Sequence, residues 1–153
     1  MSRPDVPSPD WTPLIALVDR ANRALQSDMV REAHQQGHQE VKYAHNAVFS
    51  TLNEAGARAT HMAAQAGITR QSMGEIIREM VALGILEMRP DPRDRRAKLV
   101  TYTKPGLELA RSGFQHIIDL EKRFADEFGD EEYEIVRTVL GRLVPLLDEI
   151  AEE

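Results

Sequence analysis

Residues 60–103 read THMAAQAGITRQSMGEIIREMVALGILEMRPDPRDRRAKLVTYT. Thr60 and Thr69 each precede a short run with helical spacing, and Gly67 separates the two runs. A threonine side chain accepts a hydrogen bond from a free amide at a helix N-terminus, and glycine favours the left-handed backbone at a C-terminus. The stretch therefore predicts two short helices joined by a glycine turn.

The second of these helices has two chemically different faces. Its apolar side chains recur at helical spacing and are predicted to face a core: Met73, Ile76, Ile77, Met80 and Val81. The other positions are predicted to face outward: Arg70, Gln71, Ser72, Gly74, Glu75 and Arg78. Arg, Gln and Ser side chains bond base edges or phosphates, so this face is typical of a helix that enters the major groove. We interpret Glu75 and Glu79 as solvated positions, because phosphate repels a carboxylate.

An arginine-rich hairpin is predicted directly after the two helices. Residues 85–89 and 97–102 alternate in polarity, and the prolines and aspartates of residues 90–96 favour a turn. The predicted tip presents Arg93, Arg95 and Arg96, with Lys98 on the second strand, and arginine suits the negative potential of a narrow minor groove. Asp94 is predicted to pair with a neighbouring arginine, either to direct it at DNA or only to support the hairpin.

Charge is segregated along the chain, whose net charge is −6. Residues 55–104 hold nine Lys or Arg and five Asp or Glu, a balance of +4, whereas the remaining residues hold 10 and 20, a balance of −10. A local basic patch attracts phosphates even when the whole chain is acidic. The basic segment coincides with the helix pair and hairpin, which favours binding to double-stranded DNA.

Helical spacing also dominates the flanking segments. It predicts a helix over residues 12–36, interrupted by Gly37, and another over residues 41–52. A long helix is predicted from Pro105 to the Gly129-Asp130 break, and a last helix contains Pro145, which is expected to kink it. The fold class is therefore mainly α with a small β-hairpin wing, a winged helix-turn-helix with long N- and C-terminal helices.

Composition excludes several other classes of protein. The 153 residues suit one domain, the absence of cysteine excludes disulfides and thiolate chemistry, and no apolar run approaches the roughly 20 residues of a membrane span. Residues 1–10 lack the apolar stretch of a secretory signal and are expected to form a loose tail, so we expect a cytoplasmic protein. Enzyme motifs such as a glycine-rich phosphate loop or His-Glu-x-x-His are missing, so we expect neither an enzyme nor a cofactor.

The motifs together resemble the MarR family of bacterial transcription regulators. The resemblance rests on Met62-Ala63, Gly67-Ile-Thr69, Gly84-Ile-Leu, the wing run of residues 89–100 and Thr103-Lys-Pro-Gly106. Within the wing, Asp91-Pro-Arg-Asp-Arg-Arg96 before a β-strand is the most specific sign, and Arg96 with Asp94 fits the family's Asp-x-Arg pattern best. Tyr102 departs from the pattern, because the family usually has leucine there.

The resemblance implies a homodimer that binds a near-palindromic operator with half-sites about 34 Å apart. It implies that the chain represses a nearby gene and leaves DNA when a small-molecule effector binds. One MarR-like domain would span residues 1–153, with a tail and dimerisation helix in 1–36, a DNA-binding lobe in 41–103 and C-terminal dimerisation helices in 104–153. In such a protein the DNA-binding residues would be Thr69, Arg70, Gln71, Ser72, Arg78, Arg93, Asp94, Arg95, Arg96 and Lys98.

The site of any effector is open, and so are two alternative functions. Side chains that would suit a cleft are Trp11, Arg20, His34, His38, Tyr43, His45, Phe49 and His116, although each also suits ordinary packing or exposure. His34 and His38 share a helical face if the helix continues through Gly37, but two histidines do not make a zinc site, so we predict no metal. A metal-responsive regulator that uses histidines and a winged helix that binds a protein partner are the alternatives.

Overall fold

The structure of the chain is a computed structural model that describes residues 10–153, and residues 1–9 of the expected tail lie outside the described residues. Among the described residues the fold is mainly helical with one two-stranded antiparallel sheet, which confirms the predicted winged helix-turn-helix. The elements are α1 (Leu14–Gln35), a 3₁₀ turn (Tyr43–His45), α2 (Asn46–Phe49), α3 (Ala59–Ala66), α4 (Arg70–Ala82), β1 (Leu86–Asp91), β2 (Asp94–Tyr102), α5 (Lys104–Phe128) and α6 (Asp130–Glu152).

The first two predicted helices differ in how well they match the structure. Helix α1 follows the prediction and ends just before Gly37, whose φ of 96° is the left-handed backbone that glycine tolerates. The helix predicted over residues 41–52 is much shorter, because only Asn46–Phe49 is α-helical after the 3₁₀ turn. Val41 and Leu52 are nevertheless buried, so the apolar pattern indicated burial rather than helix length.

Helices α3 and α4 form the predicted pair, with one error at the start. Thr69 caps α4, since its hydroxyl accepts a hydrogen bond of 3.0 Å from the backbone N–H of Ser72. Gly67 ends α3 at a φ of 67°, as predicted. The prediction that Thr60 caps α3 is wrong, because the extended backbone of Arg58 starts the helix earlier and places Thr60 inside it.

The hairpin pairs Leu86 with Tyr102 and continues in register to Pro90 opposite Lys98. An isolated bridge between Ala57 and Val100 adds a third short edge to the sheet. The turn between the strands is tighter than predicted, because β2 already begins at Asp94. Arg95 and Arg96 therefore belong to a strand rather than to a loop.

The core of the winged helix-turn-helix lies between these helices and the hairpin. Its most buried side chains are Val48, Met62, Met73, Met80, Leu86 and Val100, together with His45. Tyr102 extends this core, because its ring stacks on Phe49 with centroids 6.3 Å apart and its hydroxyl donates to the carbonyl of Leu52 at 3.2 Å. Burial raises the pKa of Tyr102, which stays a neutral donor.

The first turn of α5 contacts Ile85, in the link between α4 and β1, through a glycine. A Cβ at Gly106 would lie 1.9 Å from the carbonyl oxygen of Ile85, so only glycine permits this approach. Thr103 supports the contact, since its hydroxyl accepts from the N–H of Gly106 at 3.1 Å. These bonds fix the N-terminus of α5 against the hairpin.

Internal contacts divide the chain into a part that ends at Gly113 and a part that comprises Phe114–Glu153. Within the second part, the ring centroids of Phe124 and Tyr133 lie 6.4 Å apart, and Nη1 of Arg137 donates a hydrogen bond of 2.8 Å to Oε1 of Glu121. Helix α6 has no buried residue. No helix within residues 10–153 is long and apolar enough to cross a membrane.

Replacing Tyr102 by Phe is expected to lower the free energy of unfolding by about 1 kcal/mol, because the Leu52 carbonyl loses its partner. Tyr43→Phe is the matched control, since the Tyr43 side chain is 45% exposed, and it is expected to leave stability unchanged. Urea unfolding of the two variants measures the difference. Equal stability of both variants would show that the buried hydroxyl contributes nothing.

Candidate nucleic-acid interface

Helix α4 presents one polar face because its opposite face is held in the core. Met73, Ile77 and Met80 are buried, and Ile76 packs against them as predicted. Val81 was predicted to join this face, but its side chain is 38% exposed because it lies beside the buried stripe. The outward face carries the exposed side chains of Arg70, Gln71, Ser72, Glu75 and Arg78.

The hairpin adds a second group of exposed cations. Arg93 lies in the turn, and Arg95, Arg96 and Lys98 lie along β2, all of them exposed. Within residues 10–153, none of these four side chains and neither Arg70 nor Arg78 forms an ion pair. Several arginines elsewhere are paired with carboxylates, such as Arg111, whose Nε lies 2.7 Å from Oε1 of Glu54. The six unpaired cations are therefore free to meet phosphates.

A buried carboxylate fixes the turn of the hairpin. The side chain of Asp91 is 8% exposed, and its Oδ2 lies 2.9 Å from both Nε and an Nη of Arg58. Of the two Arg58 nitrogens, Nε donates the hydrogen bond and the Nη completes the ion pair. The Oδ1 of Asp91 accepts from the backbone N–H of Arg93 at 2.9 Å. That backbone hydrogen bond and the Arg58 guanidinium hold the pKa of Asp91 below its usual value, so the group is an anion at neutral pH. Asp91 thereby joins the start of α3 to the turn.

The comparisons with known proteins agree with this arrangement. Residues 41–97 match the sequence model of a family described as the MarR family. A solved MarR family transcription regulator superposes with a TM-score of 0.76 at 20% identity, covering 91% of this chain and 91% of that one. The chain has the MarR fold. The predicted resemblance is confirmed, and it is a resemblance to transcription regulators rather than to enzymes.

Two further solved structures with the MarR fold concern one protein in two states. The transcriptional repressor CouR bound to a 23-mer DNA duplex gives a TM-score of 0.69 at 18% identity, covering 86% of this chain and 92% of that one. CouR from Rhodococcus jostii bound to p-coumaroyl-CoA gives a TM-score of 0.66 at 19% identity, covering 83% of this chain and 88% of that one. An uncharacterized protein of Mycobacterium tuberculosis is 23% identical over 115 residues, which are 75% of this chain and 78% of that protein.

The wing of this MarR fold differs from the prediction in the role of its aspartates. Asp94 was expected to pair with an arginine, but its Oδ1 accepts from the backbone N–H of Arg96 at 3.1 Å, and no ion pair with an arginine forms within residues 10–153. The ion pair belongs to Asp91 and Arg58, which the sequence pattern did not indicate. A signal for the turn was present, because Asp91 and Asp94 each precede an arginine by two residues, the spacing of an Asx turn.

The residues suggested for an effector cleft do not converge in the first part of the chain. Phe49 packs on Tyr102, and His45 is buried beneath α4, whereas Tyr43 is exposed. The Nε2 of His34 forms a hydrogen bond of 2.7 Å with the carbonyl oxygen of Val41. The Nδ1 of His38 lies 3.6 Å from Oε1 of Glu40. Trp11 and Arg20 are exposed, and His116 belongs to the second part of the chain.

His34 and His38 were predicted to share a helical face only if α1 continued through Gly37, and it does not. Helix α1 ends at Gln35, so His34 and His38 do not share a helical face. Residues 10–153 contain no group of three or more His, Cys, Asp or Glu that could hold a metal ion. The described histidines therefore give no support to a metal-responsive regulator.

Replacing Asp91 by Asn is expected to loosen the wing, because an amide cannot form the ion pair with Arg58. We expect faster hydrogen exchange at the Arg93 amide and a lower urea midpoint. Asp94→Asn is the matched control, since exposed Asp94 bonds only one backbone amide, and its effect on both measurements is expected to be smaller. Equal effects of the two variants would remove the special role of Asp91.

Proposed function

We propose that this chain is a DNA-binding transcriptional regulator in which α4 reads the major groove and the hairpin wing reaches the neighbouring minor groove. The observation that supports this most directly is the set of six unpaired cations on α4 and the wing. Phosphate contacts supply most of the affinity of such an interface, and base edges supply the sequence preference. Gln71 and Arg70 at the start of α4 are the candidates for base contacts.

The repressor role in this proposal comes from similarity rather than from geometry. CouR, which has the same fold, is described as a transcriptional repressor bound to DNA in one structure and to p-coumaroyl-CoA in another. We infer that this chain likewise blocks a promoter and that a small molecule releases it. No ligand is named for this chain, because the cleft candidates within its first part do not converge on a common site.

The alternative of a winged helix that binds a protein partner is less well supported. The wing exposes four cations within six residues, Arg93 to Lys98, and buries none of them. Such a concentration of unpaired positive charge suits a polyanion, whereas the centres of protein interfaces are depleted of charge. DNA is therefore the partner that the charges favour.

The proposal includes a homodimer, because α6 exposes a series of apolar side chains. Between 43% and 61% of each of these side chains is exposed: Ile135, Val136, Val139, Leu140, Val144, Leu146, Leu147 and Ile150. An apolar stripe of this length on a soluble chain is typical of an interface. A second copy of the chain is the partner that the MarR resemblance implies, and it would pair two α4 helices on a near-palindromic operator.

Selection of bound duplexes from random genomic fragments supplies the probe for the first functional test. Arg96→Ala is expected to weaken binding to the recovered duplex by about 1–3 kcal/mol, because an exposed guanidinium on β2 would no longer reach DNA. Arg23→Ala is the matched control, since it removes the same charge from α1, where Arg23 already pairs with Asp19 at 2.9 Å. Unchanged affinity of the Arg96 variant would remove that residue from the interface.

The dimer is tested with Leu147→Asp, which places a charge on the exposed apolar stripe of α6. We expect a monomer or insoluble protein in sedimentation equilibrium, because a charge cannot be buried without a partner. Thr138→Asp, which adds the same charge beside the stripe, is expected to remain dimeric. A soluble Leu147→Asp dimer would contradict the placement of the interface.

A further inference from the structure

A fully buried histidine lies beneath α4, and one of its nitrogens has no hydrogen-bond partner in the part of the chain that the structure describes. His45 is 0% exposed, and its Nδ1 accepts a hydrogen bond of 3.1 Å from the backbone N–H of Lys42. The proton of the neutral ring therefore sits on Nε2. Nε2 is buried and forms no hydrogen bond within residues 10–153, and Oε2 of Glu79 lies 3.7 Å from it.

Glu79 connects this histidine to the helix that carries the candidate DNA-binding face. It belongs to α4, and its second oxygen, Oε1, accepts from Nζ of Lys42 at 2.5 Å. Lys42 thus holds His45 through its backbone and Glu79 through its side chain. Glu40, Lys42 and Glu79 are the charged groups that act on His45, and Glu79 is the one contributed by α4.

Protonation would change both links at once. The added proton goes to Nδ1, which can then no longer accept from the Lys42 N–H, so two donors face each other. The new positive charge attracts Glu79, which is shared with Lys42. Because an unpaired charge is costly in a buried site, the ring, the 3₁₀ turn and Glu79 must rearrange together.

We propose that His45 and Glu79 are positioning residues that make the placement of α4, and with it DNA affinity, depend on the protonation of His45. The DNA part of this inference rests on the proposed function, whereas the coupling of His45 to α4 does not. Burial is the main cause that lowers the pKa of His45, and Glu79 opposes it. The change therefore falls below the ordinary value of about 6.5.

The expected direction is opposite to that of a surface histidine. A surface histidine gains positive charge as the pH falls and so strengthens binding to a polyanion. Protonation of His45 would instead disturb the arrangement that holds α4, so affinity falls with pH. This opposite sign separates the proposal from general electrostatics.

The coupling is tested first without DNA, by NMR titration of the full chain from about pH 8 to about pH 5.5. We expect the Lys42 amide and the α4 amides to shift with the midpoint of the His45 ring. In Glu79→Gln the Lys42 amide is expected to shift as before, while the α4 response disappears. Glu75→Gln, an exposed change on the same helix, should keep both responses. A His45 ring that does not titrate, or α4 amides that ignore it, would overturn the proposal.

His45→Asn separates protonation from the hydrogen bond, because an amide oxygen can accept from the Lys42 N–H but takes up no proton. Both pH responses are expected to vanish in this variant. Persistence of the α4 response without His45 would overturn the proposal. Glu79→Gln tests the same coupling at a partly exposed residue. The proposal can therefore be tested without replacing a buried ring.

Affinity for the recovered duplex is then measured over the same pH range. The unaltered protein is expected to lose about fivefold in affinity at the lower pH, while Glu79→Gln loses less than about twofold. His61→Gln, which replaces an exposed histidine of α3, is the control and should show the same fivefold loss of affinity as the unaltered protein. If affinity rises at low pH, the effect of His45 on DNA binding is wrong. If no duplex binds at any pH, the proposed function fails, and the NMR titration still decides whether His45 moves α4.

Discussion

Burial of the apolar stripe of α4 is the constraint on which the rest of the structure depends. Met73, Ile77 and Met80 lie in the same core as Met62 and Val100, so α4 cannot rotate without exposing them. Because this face is fixed inward, Arg70, Gln71 and Arg78 are fixed outward, and a rigid helix is a better platform for base contacts than a loop. The buried stripe therefore determines which side chains are available to a ligand.

The wing needs a different kind of support, because its exposed strand residues have no core of their own. Two aspartates share this work, with Asp91 joining Arg58 to the turn and Asp94 accepting from the backbone of Arg96. Both place negative charge beside the arginines without neutralising the Arg93, Arg95 and Arg96 side chains. The wing is thus ordered by carboxylates while the guanidinium groups of Arg93, Arg95 and Arg96 stay free for an anion.

Local sequence signals predicted the fold well and long-range contacts poorly. Gly67 and Thr69 marked helix ends correctly because a cap depends on a few neighbouring residues. The prediction of a cap at Thr60 was wrong, since α3 begins before that residue. The Arg58–Asp91 ion pair was missed because partners 33 residues apart leave no periodic pattern in the sequence. The buried role of His45 was likewise hidden, since its burial depends on α4 and not on its own turn.

The most direct test of DNA binding through α4 and the wing is the salt dependence of affinity for a duplex. We predict that log K falls linearly with log salt, by about 0.9 per phosphate neutralised. Joint replacement of Arg93, Arg95 and Arg96 by Ala should reduce that slope by about one for each phosphate that the variant no longer binds. A duplex affinity that ignores salt, or no binding even at low salt, would contradict DNA binding through these elements.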